Sequence, residues 1–268
     1  MPLAFHYDLT EKFRQQYVNA EKYLTPFIES VVPLDGKQIL EIGCGEGGTL
    51  KSFLNKGCRC FGIDLSATKI LYANEAMKHE VAEGLAAFMA ADIYDPFISE
   101  RYLNRFDLVI LKDTIEHLVD RQKLLGMIKR WLAEGGVVFV AFPPWLMPYG
   151  GHQQMADTPL GKLPYCHLLP RPIYRRLLKL FGEDQVRIQG LMEVVDTRLT
   201  IHGFEQLLKK CGYRPIKKRL YLINPIYESK FGCKPIKQFS FIRALPWVRD
   251  VVTTTCYYLV KPLAGSRE

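Results

Sequence analysis

The segment Gln38-Ile39-Leu40-Glu41-Ile42-Gly43-Cys44-Gly45-Glu46-Gly47-Gly48-Thr49 constrains this chain more than any other. A short apolar run ends in closely spaced glycines, and a helix-compatible stretch runs on from Thr49 through Leu54. That order reads as a buried strand, a tight turn and a helix N-terminus. Glycine is needed where φ turns positive and where the backbone must close on a ligand. The first N–H groups of the helix face the turn and suit a carboxylate or phosphate. Taken literally, Gly43-x-Gly45-x-x-Gly48 is also the dinucleotide fingerprint, so the glycines alone leave an NAD(P)-dependent oxidoreductase open. Glu41, just before the first glycine, points elsewhere. An acidic side chain at a strand end suits a cationic ligand and sits badly beside a pyrophosphate.

Four further strand–helix units follow. Cys58 to Ser66 is a second strand, and its tip carries Asp64 about twenty positions after Gly43, where a carboxylate can accept both ribose hydroxyls of a nucleoside. Ala67 to Glu83 reads as helix, Phe88 to Pro96 as a third strand ending in acids, and Arg105 to Asp113 as a fourth. A helix from Asp120 to Leu132 closes at Glu134-Gly135-Gly136, before the apolar strand Val137 to Phe142 that Pro143-Pro144-Trp145 stops. Strands alternating with helices predict a parallel sheet covered on both faces, with ligands at the carboxyl ends of the strands. Upstream, the apolar spacing from residue 10 to 31 predicts a helix that Pro26 breaks in two.

Taken together, Leu40-Glu41-Ile42-Gly43-Cys44-Gly45, Gly62-Ile63-Asp64-Leu65-Ser66, Ala91-Asp92-Ile93, Phe106-Asp107-Leu108-Val109, Ile115-Glu116-His117-Leu118 and Glu134-Gly135-Gly136 resemble the core of a class I S-adenosylmethionine-dependent methyltransferase, of the group that includes the ubiquinone-biosynthesis-type and small-molecule enzymes. The resemblance covers residues 1–145. It implies an α/β, Rossmann-like, seven-stranded, mostly parallel sheet with helices on both faces, the last strand antiparallel. It implies S-adenosyl-L-methionine as cofactor and S-adenosyl-L-homocysteine as product. Carried over by position, Gly43, Cys44 and Gly45 would lie against the methionine moiety and Glu41 would hold its ammonium end. Asp64 and Leu65 would meet the ribose, and Asp92 and Ile93 the adenine. Lys112 and Asp113 would lie under the reactive methyl.

The remainder departs from the minimal pattern. One domain is expected over 1–268: an N-terminal helical segment (1–35), a cofactor-binding core (36–145), a substrate-lid insertion after the fifth strand (146–199), and a C-terminal part of the core (200–268). A second insertion, 224–252, follows the sixth strand. Insertions of this length carry function or structure of their own. In-line methyl transfer needs alignment of the acceptor, exclusion of water and, for a hydroxyl acceptor, a general base. Histidine is the usual base near neutral pH. His117 after the fourth strand, and His152 and His167 in the first insertion, are the candidates, with Tyr149, Tyr165 and Trp145 as substrate lining. His152, beside Gln153, lies in a polar loop suited to a pocket. Asp113 and Glu116 offer carboxylates near the end of the fourth strand, but no third ligand stands beside them, so no metal is expected. The expected reaction is O-methylation of a small-molecule acceptor.

Net charge is +8, with the basic excess in the second half, from Arg171 through Lys179, Lys209 through Arg219 and Lys230 through Lys237. Nucleic acid, an anionic small substrate, a membrane surface or a plain solvated face would each account for it. A nucleic-acid methyltransferase is therefore the alternative. Against it, no nucleic-acid-binding module is visible, and Pro143-Pro144-Trp145 ends the fifth strand rather than the fourth. Seven scattered cysteines read as reduced thiols. No apolar run approaches the ~20 residues of a membrane span. The N-terminal residues lack the basic-then-apolar order of a signal peptide, so a cytoplasmic location is expected.

Overall fold

Apolar residues alternate along the central strands and send side chains to two opposite faces, which fixes a three-layer arrangement. The computed structural model describes residues 8–150, 152–243 and 245–263. Residues 1–7, on which the signal-peptide reading falls, lie outside the described residues. So do Gly151, Ala244, residues 264–268, and the side chains of Ser99, Arg243, Pro246 and Trp247.

Strands β1 (Gln38–Ile42), β2 (Arg59–Asp64), β3 (Ala86–Ala90), β4 (Phe106–Lys112) and β5 (Leu132–Phe142) run parallel. With β6 (Tyr213–Ile223), β7 (Ile236–Lys237) and β8 (Thr255–Pro262) they form one eight-stranded sheet of order β3-β2-β1-β4-β5-β8-β6-β7. β8 is antiparallel to both β5 and β6, and β7 is antiparallel to β6. The expected count of seven is thus corrected to eight. The extra strand, β7, is two residues of the second insertion laid along the outer end of β6. It is too short to show any alternation in sequence.

The helices are α1 (Leu9–Asn19), α2 (Thr25–Glu29), α3 (Gly48–Leu54), α4 (Ala67–Ala76), α5 (Lys78–Ala82), α6 (Pro96–Arg101) and α7 (Arg121–Trp131), then α8 (Arg171–Leu180) and α9 (Gln185–Asp196) in the first insertion. α10 (Ile201–Lys210) precedes β6, and α11 (Ile226–Phe231), α12 (Ser240–Arg243) and α13 (Pro246–Val252) lie in the second insertion. Pro26 does not break the N-terminal segment. A π-helical turn, Ala20–Leu24, carries α1 into α2, and Pro26 sits in the first turn of α2, where its missing N–H is tolerated. The helix expected over 67–83 divides at Met77, which is fully buried against the glycine turn.

Both sheet faces are dry. Val109, Leu111, Val138, Val140 and Phe142 face Leu124, Ile128, Phe204 and Leu208 of α7 and α10. Leu108, Ile110, Val137 and Phe139 face Phe27, Ile28, Leu50 and Phe53 of α2 and α3. Phe139 has edge-on rings at 6.0 Å (Phe27) and 5.2 Å (Tyr257). Each such buried ring contributes roughly 1.5–3 kcal/mol. The first insertion has an apolar core of its own, in which Trp145, Leu160, Tyr174, Leu178, Ile188, Leu191 and Val195 pack together.

Candidate functional site

β1 pairs with β2 on one side and β4 on the other, so the sheet's topological switch point lies at its carboxyl end. The glycine turn is built for close approach there. Gly43 has φ +73°, and a Cβ on it would stand 2.4 Å from the Thr114 hydroxyl oxygen after β4. A Cβ on Gly48 would stand 2.2 Å from the Phe13 carbonyl, because α1 crosses directly over the start of α3.

A cavity of about 540 Å³ opens beside this turn. Gly43, Asp64, Leu65, Asp92, Ile93 and His117 are among its lining residues, so six of the sequence-predicted residues meet in one place. Asp64 has a second task. Its carboxylate accepts from Gly45 N at 2.9 Å and from Ser66 N at 2.9 Å, tying the glycine turn to the tip of β2. Asp92 accepts from Tyr94 N at 2.9 Å. Cys44 is buried, its thiol against Gly62, and Gly45 and Cys44 do not line the cavity.

Glu41 is buried, and burial pushes its carboxyl up to about 8, against the pull of the Lys112 ammonium and a hydrogen bond from Thr49. Among the described residues its Oε2 has no hydrogen-bond partner. The α3 N-terminus is not the open anion seat that the sequence implied. Gln16 of α1 accepts from Gly48 N at 2.9 Å and donates to Glu46 at 2.9 Å, closing α1 over the turn. Nothing in the local sequence around Gln16 marks this contact, which depends on how α1 crosses α3.

Lys112 and Asp113 line a second cavity of about 350 Å³ rather than the first. They form an ion pair at 2.6 Å, and Asp113 takes the left-handed φ of +52° that turns the chain at the tip of β4. Lys12, Lys69, Lys230, Tyr149 and His152 also line this cavity. The tip of β4 divides the two spaces, Asp113 facing one and Thr114 the other. His117 and His152 meet across that divide with ring centroids 4.8 Å apart. Burial lowers both imidazoles, His152 to about 4, and the neighbouring ring adds to the shift of His152.

The other insertion candidates lie elsewhere. His167 is buried, with Nε2 2.8 Å from the Trp145 carbonyl and its ring edge-on to Trp145 at 4.7 Å. It does not line the second cavity, and neither do Trp145, in the core of the insertion, and Tyr165, at its surface. Gln153, expected in a pocket loop, is fully buried and joins the Leu160 and Leu163 carbonyls to the His167 backbone N–H. These polar groups build the insertion, and their sequence pattern does not distinguish that task from lining a pocket. His167→Ala should therefore destabilise the fold by about 1–3 kcal/mol in denaturant titrations while leaving cofactor affinity unchanged. A tenfold loss of cofactor affinity without a loss of stability would contradict this.

The basic excess is partly spent internally. Arg171 pairs with Asp196 at 2.9 Å, Lys218 with Glu205 at 2.9 Å, and Lys217 donates to the Phe27 carbonyl at 3.0 Å. No helix among the described residues is long and apolar enough to cross a membrane.

Residues 40–140 match the family model described as a methyltransferase domain. The chain carries a class I S-adenosylmethionine-dependent methyltransferase domain. The methyltransferase domain is similar to the ubiquinone biosynthesis O-methyltransferase of Paracidovorax citrulli (strain AAC00-1), 29% identical over 133 residues, covering 50% of this chain and 54% of that protein. It is also similar to phosphoethanolamine N-methyltransferase 1 of Arabidopsis thaliana, 31% identical over 116 residues, covering 43% of this chain and 23% of that protein. These matches span about half or less of each relative. In fold, the chain resembles a geranyl diphosphate methyltransferase solved in complex with SAM, at TM-score 0.56 and 16% identity over 92% of this chain and 85% of that one. The two insertions that wall the second cavity lie beyond the residues 40–140 that match the family model.

Proposed function

We propose that the protein transfers a methyl group from S-adenosylmethionine to an oxygen of a small, anionic acceptor. The observation that carries this reading is the pairing of two cavities across the tip of β4, one ringed by strand-end acids and the other lined with lysines.

The residues present fit the cofactor. Asp64 and Asp92 stand at successive strand tips, where a ribose and an adenine amino group each need an acceptor. The unpartnered buried oxygen of Glu41 suits a cationic amino-acid end. When bound, the cofactor supplies a methyl already activated on a sulfonium sulfur. The chain's own work is then alignment and exclusion of water. α1, held by Gln16, covers the turn, and the two insertions wall the second cavity with Tyr149, His152 and Tyr227. His117 and His152, neutral at neutral pH, meet between the two cavities, which supports them as candidates to take the proton of an acceptor hydroxyl.

The anionic character of the acceptor follows from charge. Lys12, Lys69, Lys112 and Lys230 line the second cavity against two carboxylates, Glu46 and Asp113. Lys230 belongs to α11, so the second insertion contributes a cation to the site. The proteins similar to this chain include both O- and N-methyltransferases, and one of them is named for phosphoethanolamine.

The test is transfer of radiolabelled methyl to paired acceptors that differ in one phosphate or carboxylate. The anionic member of each pair should be methylated faster. Lys230→Ala should raise its KM about tenfold or more, the cost of one charge-assisted contact, without changing cofactor affinity. Preference for the neutral member would remove the anionic assignment. Failure of the protein to bind S-adenosylhomocysteine would remove the reaction.

A further inference from the structure

Glu116 lies in the short 3₁₀ turn Ile115–His117 that follows β4; the residue is 4% exposed and both its carboxylate oxygens are buried. Among the described residues, neither of its oxygens has a hydrogen-bond partner on another residue. A carboxylate so deeply buried needs a counter-charge or a proton, since desolvation alone costs several kcal/mol. The two cations nearest in sequence are both directed elsewhere. Lys112 is bound to Asp113 at 2.6 Å. Arg121 donates to the backbone carbonyls of Ile115, Glu116 and Thr197, not to the carboxylate.

Two imidazoles stand beside it instead. His117 Nε2 is 3.9 Å from Glu116 Oε1, too long for a hydrogen bond. The His152 ring lies 4.8 Å from that of His117, and His152 Nδ1 is buried without a partner among the described residues. One donor atom from each of the three residues falls within 4.8 Å of the other two. Donors sharing one first-row ion at about 2.0–2.2 Å lie about 3–4 Å apart, so a cluster within 4.8 Å would need only a modest contraction to hold one.

We propose that Glu116, His117 and His152 bind one divalent first-row transition-metal ion at the boundary between the two cavities. Two imidazoles and one carboxylate favour a transition ion over magnesium or calcium, which take oxygen ligands. Three protein donors leave open positions on the ion. His152 and its neighbour Tyr149 line the lysine-rich cavity, so an open position there can take an acceptor oxygen. A hydroxyl bound in that position would release its proton to water, the ion neutralising the oxygen left behind. The imidazoles would then hold the ion instead of the proton. This catalytic role rests on the methyltransferase reading, whereas the binding site itself does not.

The sequence gives no sign of the third ligand. Glu116 and His117 are adjacent, but His152 comes from the first insertion and reaches them through the path of that loop, with a left-handed φ of +54° at His152.

The test is calorimetric titration of the chelator-treated full chain with Co²⁺ alone, with S-adenosylhomocysteine titrated separately into the same preparations. The expected result is one Co²⁺ per chain, with affinity lowered at least about tenfold by Glu116→Gln, His152→Ala and His117→Asn. The half-exposed His117 makes its variant the one least prone to misfolding, and circular dichroism establishes that each variant is folded. Absence of Co²⁺ binding in a wild-type protein that binds S-adenosylhomocysteine would overturn the metal site and leave the methyltransferase reading standing. Co²⁺ binding indifferent to folded His117→Asn would also overturn it. Co²⁺ binding lost in the variants, in a protein that never binds S-adenosylhomocysteine, would support the site and sink the catalytic role.

Discussion

Asp64→Asn is expected to weaken S-adenosylhomocysteine binding by about a hundredfold in calorimetry, and Asp64→Ala by more. The carboxylate has two jobs in one place. It accepts from Gly45 N and Ser66 N, which fixes the glycine turn against the tip of β2, and it lines the first cavity, where its remaining acceptor capacity would meet the ribose of the proposed cofactor. Hydrogen bonds to a charged acceptor contribute about 1.5–3 kcal/mol each, so losing one ribose contact and the charge behind the other corresponds to roughly a hundredfold, and losing both to more. Asparagine keeps one acceptor oxygen and the shape. Alanine also frees two backbone N–H groups at the turn, so it should cost stability as well as affinity. Asn affinity within threefold of wild type would show that the ribose is held elsewhere.

Glu41→Gln should do two opposite things. It should stabilise the ligand-free protein at high pH and weaken the cofactor by about ten- to a hundredfold. Burial raises this carboxyl from its ordinary value to about 8. The sign follows from linkage. Below pH 4.5 the group is protonated whether the chain is folded or not, and it costs nothing. Between pH 4.5 and 8 the unfolded chain releases the proton while the folded chain keeps it, so stability falls, and above pH 8 the full cost is felt. Gln does not titrate. The variant's advantage should therefore be near zero at pH 4 and grow to a few kcal/mol above pH 8, with the size of the shift at about 1.4 kcal/mol per unit as its ceiling. In thermal melts that is a rise of roughly 5–10 °C. The cofactor's ammonium would supply the missing counter-charge, which is why the same substitution should lower its affinity. A flat difference in melting temperature from pH 4 to pH 9 would show that Glu41 does not titrate as its burial requires.

Both predictions concern residues legible in the sequence, and they share a reason. Glu41, Gly43, Asp64 and Asp92 occupy the ends of strands whose alternation and flanking turns are local properties of the chain. The positive φ of Gly43 is a local demand of the turn, although the tight space beside Thr114 comes from the packing of β4 against β1. The lysine-lined cavity is different. Lys12, Lys69, Lys112 and Lys230 come from α1, α4, β4 and α11, and no spacing links them. Only Lys230 belongs to the basic excess of the second half, and Arg171 and Lys218 of that excess are held in ion pairs within the chain.

The histidines draw the line most clearly. His117, His152 and His167 look alike in sequence as polar loop residues near a predicted pocket. The structure sends His152 against His117 across the β4 tip and buries His167 under Trp145. The sequence by itself determined the sheet, the cofactor turn and the acids at the strand ends, because short-range sterics and apolar periodicity set those. The tertiary structure alone decided which insertion residue meets Glu116 and His117 and which lysines line the second cavity. Those neighbours are chosen by how the insertions pack, through contacts between residues far apart in the chain.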